Sequence, residues 1–348
     1  VTPSEAIEQF LGGKALTREQ ARNVMDQVMA GEVTTTQIAG LLIALRAKGE
    51  TAEEMTGFVD SMRAHATPLD VPEGAIDTCG TGGDRAGTFN ISTAAALVAA
   101  GAGIRVAKHG NRAASSRCGS ADVLEALGVD ITLGPDGVRR CIDASGMGFC
   151  FAPTFHPAMR HAGPARRELG VRTVFNVLGP LANPGHVRRQ ALGVGVKSLA
   201  PLMVRVLQDL GHQRALVFYG EDGIDELTTT GPSHVFELNE GHLTEYELDP
   251  RDLGIKQARP EDLRGGTPPE NAALLRQVMD GQAGPRRDVV VLNAAAAILA
   301  AGRAKDWPEA LSVANDSLDR GRAQRALDRL VQASHGEPSP SGADQRDR

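Results

Sequence analysis

A chain of 348 residues with 41% hydrophobic and 23% charged residues has the composition of a soluble globular protein, long enough for one large or two ordinary domains. Its net charge of −6 argues against a nucleic-acid or anionic-membrane surface, and 3% aromatic residues are too few for base-stacking platforms. Four cysteines (Cys79, Cys118, Cys141, Cys150) show no CxxC spacing and read as reduced thiols. The longest apolar run, Val289–Ala301, is short for a membrane span and contains Asn293. The opening VTPSEAIEQFLGG has no basic leader followed by an apolar core, so no signal peptide and a cytoplasmic setting are expected.

Residues 1–66 read as four short helices. Ser4 is a candidate cap for the first, which Gly12 and Gly13 stop. Thr17 with Gln20 forms a capping-box pattern, and Ala21, Val24, Met25, Val28 and Met29 then follow a helical period. Thr35–Lys48 and Thr51–Ala64 continue in the same way. This bundle has more apolar surface than it can hide alone, which leaves packing on a larger domain or a dimer interface as readings. Thr67–Gly74, with two prolines, is the linker.

From residue 74 to 333 the pattern alternates strand and helix, the mark of an α/β domain with a mainly parallel sheet. Its first part holds two Gly-rich loops, Gly80–Ser92 and Lys108–Ser120. Each follows an apolar run (Ala75–Cys79; Arg105–Ala107) and precedes a helical pattern (Thr93–Ala102; Ala121–Leu127). Glycine lets backbone approach a ligand, and free N–H groups at a helix start favour an anion. Lys108, Arg112 and Arg117 add cations, while Ser92, Thr93, Ser115, Ser116 and Ser120 add hydroxyl donors. Asp84 is a carboxylate among phosphate-friendly groups, which suggests a divalent cation or a sugar hydroxyl. Two such loops in tandem predict a site for a sugar carrying several phosphates.

Further along, Val129–Leu133 reads as a strand, Pro135–Ser145 as a helix, Gly148–Ala152 as a strand and Pro157–Leu169 as one helix. Gly193–Val196, Leu199–Leu210 and Ala215–Tyr219 read as strand, helix, strand. A β-hairpin is expected over Ser233–Tyr246, turning at Asn239–Gly241. Helices are expected over Pro268–Met279, Asp288–Ala301, Trp307–Gly321 and from Arg322, and Ser334–Arg348 reads as a disordered tail.

The loop Glu221–Glu226 follows a strand, where ligands of open α/β sheets gather, and its Asp225-Glu226 pair suits Mg²⁺. By itself it also reads as a solvated acidic turn. Phe155–Arg172 is dense in His and Arg; His156 sits at a helix entrance, and Arg166 can offer a planar fork to a carboxylate. Asn176–Gly185 reads as a shaped loop or hinge.

The segments GTGGD (Gly80–Asp84), NIST (Asn90–Thr93), KHGNRAASS (Lys108–Ser116), GSADVLEALG (Gly119–Gly128), FHPAMRHAGPARRELGVRT (Phe155–Thr173) and FNVLGPLANP (Phe175–Pro184) closely resemble signatures of the anthranilate phosphoribosyltransferases. The resemblance spans roughly residues 5–330 without large insertions. It implies a helical domain of residues 1–66, joined by part of 166–189, a large α/β domain over 74–333, and a homodimer through the helical domains. It implies transfer of the phosphoribosyl group from phosphoribosyl pyrophosphate to anthranilate with Mg²⁺. By motif, Gly80, Gly83, Asp84, Thr88, Asn90, Ile91, Ser92, Thr93, Lys108, His109, Gly110, Asn111, Arg112, Ala113, Ala114, Ser115, Ser116 and Ser120 would line the sugar pyrophosphate. Anthranilate contacts would be Gly80, Asn111 and Arg166, with His109 and His156 nearby, and the metal ligands Ser92, Asp225 and Glu226. Phe155 stands where tyrosine is frequent and Cys118 where a small residue is. The rival readings are a pyrimidine nucleoside phosphorylase, which has no need of the acidic pair, and a nucleic-acid-binding relative, which the net charge of −6 opposes.

Overall fold

Four threonines start the first four helices. In the computed structural model, which describes residues 1–84, 86–113 and 116–336, these are α1 (Pro3–Leu11), α2 (Arg18–Ala30), α3 (Thr35–Lys48) and α4 (Ala52–Ala64). Thr2, Thr17, Thr34 and Thr51 each accept a hydrogen bond from the third helical N–H, and Glu5, Gln20, Gln37 and Glu54 reach back to complete four capping boxes. Each cap is worth about 1 kcal/mol. The first cap is Thr2, not Ser4, because Pro3 lacks an N–H and its fixed φ suits the first helical turn. Glu54 is fully buried, held by Leu16 N–H at 3.0 Å and by the Lys48 ammonium at 2.9 Å.

The chain then runs β1 (Asp77–Gly80), α5 (Ile91–Gly101), β2 (Val106–Gly110), α6 (Ser120–Ala126), α7 (Pro135–Ser145), β3 (Met147–Phe151) and α8 (Ala152–Phe155). Next come α9 (Gly163–Leu169), α10 (Phe175–Leu178), β4 (Arg189–Gly193), α11 (Ala200–Asp209), β5 (Arg214–Gly220), β6 (Ser233–Asn239) and β7 (His242–Leu248). Four helices close it: α12 (Pro268–Met279), α13 (Pro285–Ala300), α14 (Trp307–Asp319) and α15 (Arg322–Ser334).

Strands β1, β4 and β5 pair in parallel, β6 and β7 add an antiparallel hairpin, and β2 pairs in parallel with β3. A parallel bridge from Ile76 to Val106 joins the two sets, giving the order β3-β2-β1-β4-β5-β6-β7. After β1 the chain therefore builds to one side and then, from β4, to the other. The crevice between the carboxyl ends of β1 and β4 is the switch point where open α/β sheets bind ligands. Helix α5 is buried along most of its length, as is α13 from Val289 to Ala300; they pack together beside the sheet. α9 packs on α3, and Arg63 of α4 donates to the Leu181 carbonyl at 2.7 and 3.1 Å. Among the described residues no helix is long and apolar enough to cross a membrane.

The hairpin turns where expected, with Glu240 (φ 47°) and Gly241 (φ 84°) as the two left-handed residues of a tight turn. Residues 129–133 are not a strand. Asp130 accepts from the N–H and hydroxyl of Thr132 at 2.9 and 2.7 Å, and this local turn bends the segment away from a ladder. The helix expected over Pro157–Leu169 is a 3₁₀ turn, Pro157–His161, followed by α9, since Pro164 supplies no N–H to carry one helix through. The fourth strand is Arg189–Gly193, not Gly193–Val196. Its upstream half looks polar, but Gln190 is buried, with its amide on the Pro180 carbonyl at 2.7 Å. Ser334, placed in the tail by sequence, ends α15 and is buried, accepting from Asp130 N–H at 3.0 Å; residues 337–348 lie outside the described ones.

Candidate active site

Two glycines face each other at the switch point. Gly80 ends β1, Gly193 ends β4, and they are partners in register. A Cβ on Gly80 would lie 2.1 Å from Asp225 Oδ2, and one on Gly193 would lie 1.7 Å from the Asp225 carbonyl oxygen. The missing side chains are thus the space into which the loop after β5 inserts Asp225. That loop is pinned by Leu227 N–H donating to buried Asn293 Oδ1 at 3.0 Å and by Thr228, whose hydroxyl donates to Asp222 at 2.7 Å.

Asp225 and Glu226 lie against the start of α5 and the first Gly-rich loop. Gly82 N–H donates to Asp225 Oδ2 at 2.6 Å, and Ser92 N–H donates to Glu226 Oε1 at 3.1 Å. Thr81 N–H is taken by the Gly193 carbonyl at 3.0 Å and Ala86 N–H by Asp84 at 3.2 Å. The first loop therefore spends several of the N–H groups expected for phosphate on the protein's own oxygens. Carboxylates occupy the positions that suit anions, and a cation is the remaining need. Burial first, then Asp84, pushes Asp225 up to about 7; burial and then Asp225 push Glu226 well above the usual range.

The Lys108 ammonium draws Glu226 back toward its charged form. Lys108 is 1% exposed, and its ammonium donates to the Thr78 carbonyl and to Ser92 Oγ, the latter at 3.3 Å. Asp84, Asp225 and Glu226 outnumber it. A hydroxyl and carboxylates in charge excess fit a divalent ion that takes its remaining ligands from water and phosphate. Among the described residues no three His, Cys, Asp or Glu side chains form a ready-made metal cage.

Neighbouring site residues brace this centre. Thr88 bridges Arg264, Ile91 is buried at the first turn of α5, and Thr93 is fully buried with its hydroxyl unpartnered among the described residues. Asn90 donates to the Cys118 carbonyl at 3.2 Å and accepts from Asn271 at 2.9 Å, tying the first loop to the second.

The second loop leaves β2 at Gly110, where a Cβ would meet Ser120 Oγ at 2.3 Å. The Asn111 carbonyl accepts from the Ser120 hydroxyl at 3.3 Å and from Ala121 N–H at 3.2 Å. Asp122 gathers the N–H groups of Ala113 and Gly119 at 2.9 and 2.8 Å. Arg112 is committed to Glu125 and Asp122 at 2.7–3.0 Å, so its fork faces helix α6. Ser116 donates to the Cys118 carbonyl at 3.4 Å; Ala114 and Ser115 lie outside the described residues.

A third group lies beside the end of β2. The His109 and His156 rings are 5.0 Å apart, both are buried, and among the described residues both Nε2 atoms lack a partner. His109 Nδ1–H donates to the Gly179 carbonyl at 3.0 Å. Burial lowers both rings, His109 to about 3 with help from His156, and His156 to about 4, so both are neutral at pH 7. Arg166 lies over Phe175, 5.4 Å from the ring centroid, and is half-buried. It makes no hydrogen bond to Asn111, His109 or His156 among the described residues.

Sequence reading missed the supports. Asp77 is fully buried and accepts from His109 N–H at 3.2 Å and from the Asn183 amide at 2.8 Å; burial pushes it up to about 6 against the pull of Lys108. The available signal was an Asp inside the apolar run Ala75–Cys79. Asn183, read as part of a hinge, also donates to the Ala107 carbonyl at 2.8 Å and so fixes the neighbouring strand. Arg172, at the end of the His- and Arg-rich segment, reaches the Gly83 carbonyl at 3.4 Å.

Comparison with known proteins gives one answer. The helical bundle domain of a glycosyl transferase family matches residues 4–66, and that family's a/b domain matches residues 73–324. The anthranilate phosphoribosyltransferase of Roseiflexus sp. (strain RS-1) is 52% identical over 95% of this chain and 98% of its own length. That of Agrobacterium fabrum (strain C58 / ATCC 33970) is 50% identical over 94% and 96%. The crystal structure of the Thermus thermophilus anthranilate phosphoribosyltransferase matches with a TM-score of 0.90 at 47% identity, covering 95% of this chain and 99% of that one. The Saccharomyces cerevisiae enzyme, solved in complex with PRPP and Mg, matches with a TM-score of 0.88 at 27% identity over 96% and 98%.

Proposed function

This chain belongs to the anthranilate phosphoribosyltransferase family, and we propose that it joins anthranilate to phosphoribosyl pyrophosphate, giving N-(5′-phosphoribosyl)anthranilate and pyrophosphate, the second step from chorismate to tryptophan. The observation that carries this reading is the buried centre where Ser92, Lys108, Asp225 and Glu226 meet at the sheet's switch point.

The sugar pyrophosphate lies across the two Gly-rich loops, with Lys108 fixed by Thr78 and Ser92 to face negative charge. Ser92, Asp225 and Glu226 would hold Mg²⁺, which when bound would supply positive charge to neutralise the diphosphate. Displacement at the anomeric carbon passes through an oxocarbenium-like state as the C–O bond to pyrophosphate breaks and the C–N bond to the amine forms. The preorganised Lys108 ammonium stabilises the charge that collects on the leaving group. The nucleophile is an aromatic amine, unprotonated at pH 7, which gives up a proton only as the C–N bond forms. Arg166 takes the anthranilate carboxylate, and the neutral rings of His109 and His156 line the acceptor side. Positioning therefore dominates, without a dedicated strong base.

We read part of the segment 166–189 as joining the helical domain, supported by α9 on α3 and by Arg63 on Leu181. A homodimer through that domain is part of the proposal, as is a cytoplasmic setting, which four free buried thiols support. Mixing the protein with anthranilate, phosphoribosyl pyrophosphate and Mg²⁺ and following anthranilate fluorescence tests the reaction. Decay that needs all three components is expected; folded protein that binds the sugar pyrophosphate without decay would overturn anthranilate as acceptor.

A further inference from the structure

The first Gly-rich loop has attachments on two sides. From the large domain, Gly193 takes Thr81 N–H at 3.0 Å, Gly195 N–H donates to Thr81 Oγ1 at 3.0 Å, and Asp225 takes Gly82 N–H at 2.6 Å. From the other side comes Arg172, which follows α9. Its Nη1 donates to the Gly83 carbonyl at 3.4 Å, and a Cβ on Gly83 would lie 2.8 Å from that nitrogen. Gly83 has φ +77°, a left-handed conformation that disfavours a side chain, and a Cβ there would displace the Arg172 guanidinium. Nη2 of Arg172 is buried and unpartnered among the described residues. The backbone carbonyl of Arg172 is in turn held by Arg46 of α3 at 2.5 Å.

We propose that Arg172 is a positioning residue for the sugar pyrophosphate: it sets the Gly83–Asp84 peptide and transmits the placement of α3 to that loop through Arg46. This rests on the phosphoribosyl-transfer reading. The same short segment carries Arg166, assigned to the acceptor carboxylate, so one stretch of chain addresses both substrates. Arg172 suits the task because a guanidinium offers several donors in a fixed plane; one edge already grips Gly83, and Nη2 keeps an unspent N–H beside the loop. Lysine, with a single flexible point charge, cannot hold the carbonyl and keep a second fixed donor in the same plane.

The test is the full-length protein with Arg172→Ala, Arg172→Lys, Arg46→Ala and the Arg46/Arg172 double alanine variant. Calorimetry with Mg²⁺ and phosphoribosyl pyrophosphate gives Kd, and the fluorescence assay gives kcat and both KM values. Arg172→Ala should weaken sugar pyrophosphate binding roughly tenfold, the lower end for a hydrogen bond from a charged donor, with kcat and anthranilate KM changed less. Arg172→Lys should recover part of that loss. Arg46→Ala should shift the same Kd by a smaller factor, and the double variant should match Arg172→Ala because the two act in series. An unchanged Kd in folded Arg172→Ala overturns the proposal. So does an Arg46 effect that adds fully to that of Arg172, or one that moves thermal stability and both KM values alike; should Arg172→Ala not fold, an unchanged Kd in Arg46→Ala decides against it. A wild-type protein that binds the sugar pyrophosphate without using anthranilate removes the acceptor assignment and leaves the Kd comparison intact. One that binds no sugar pyrophosphate removes both.

Discussion

Arg166 is a cation with no anion. It is half-buried over Phe175, burial lowers its pKa, and no carboxylate pairs with it among the described residues. Such a group costs folding energy until a ligand supplies the counter-charge, and an aromatic carboxylate matches its planar fork. Arg166→Ala should raise anthranilate KM by roughly 10- to 100-fold, the 1.5–3 kcal/mol of a charged hydrogen bond, while sugar pyrophosphate KM stays close to wild type. Its melting temperature should not fall, and steady-state kinetics beside a thermal scan separate the two effects; an unchanged anthranilate KM would refute the assignment. The acid pair obeys the same logic with the sign reversed. Asparagine and glutamine at 225 and 226 keep oxygens for Gly82 and Ser92 N–H and remove two charges that burial disfavours. Asp225→Asn with Glu226→Gln should therefore abolish Mg²⁺-dependent turnover without lowering the melting temperature of the metal-free protein at pH 8. Full activity in that variant would return Glu221–Glu226 to the status of a solvated turn.

At the level of elements, the site exists because β1 and β4 end in glycines that leave room for a third loop. Gly193→Ala puts a Cβ 1.7 Å from the Asp225 carbonyl, a backbone atom that can yield only by moving the whole loop. Urea unfolding should show a loss of about 1–3 kcal/mol, typical of forced overpacking, together with loss of Mg²⁺-dependent activity. Gly82→Ala is the control: nothing lies within 4 Å of its Cβ, but φ is +67°, so it should cost only the left-handed penalty of about 1–2 kcal/mol. Equal activity loss in both would mean that loop conformation, and not the space for Asp225, controls the site. Much of this was legible in the chain. Helices α2, α3 and α12 and the hairpin turn stand where the Thr17–Gln20 capping box, helical spacing and Asn-Glu-Gly put them. What was not legible depends on contacts distant in sequence. Gly193 matters through Asp225, 32 positions on, and Asp77 through Asn183, 106 positions on; neither pairing leaves a local pattern. Gln190 hid a strand because its amide is satisfied by a carbonyl ten residues earlier, so a buried position carried a polar residue.

Across the whole molecule, the helical bundle uses its apolar residues unevenly. One hydrophobic core runs without a break from α1–α4 into α9, α10, α11 and the sheet, which accounts for the buried side of the bundle. Against that background Leu11 at the end of α1 and Ile43 on α3 remain 69% and 42% exposed, on two helices that pack on each other. In the proposed homodimer this leucine and isoleucine would lie on the surface that a second copy of the chain covers. Sedimentation equilibrium of the wild-type protein should give twice the chain mass. Leu11→Glu with Ile43→Glu would bury unpaired carboxylates in that contact, so the variant should sediment as a monomer at micromolar concentration. Ser92, Lys108, Asp225 and Glu226 come together within one chain, so the monomer should keep most of its kcat. A wild-type monomer, or a double variant that stays dimeric, would place the association elsewhere or remove it. A monomer that folds but loses turnover would mean that the bundle contact orders α3, and through Arg46 and Arg172 the loop that α3 reaches.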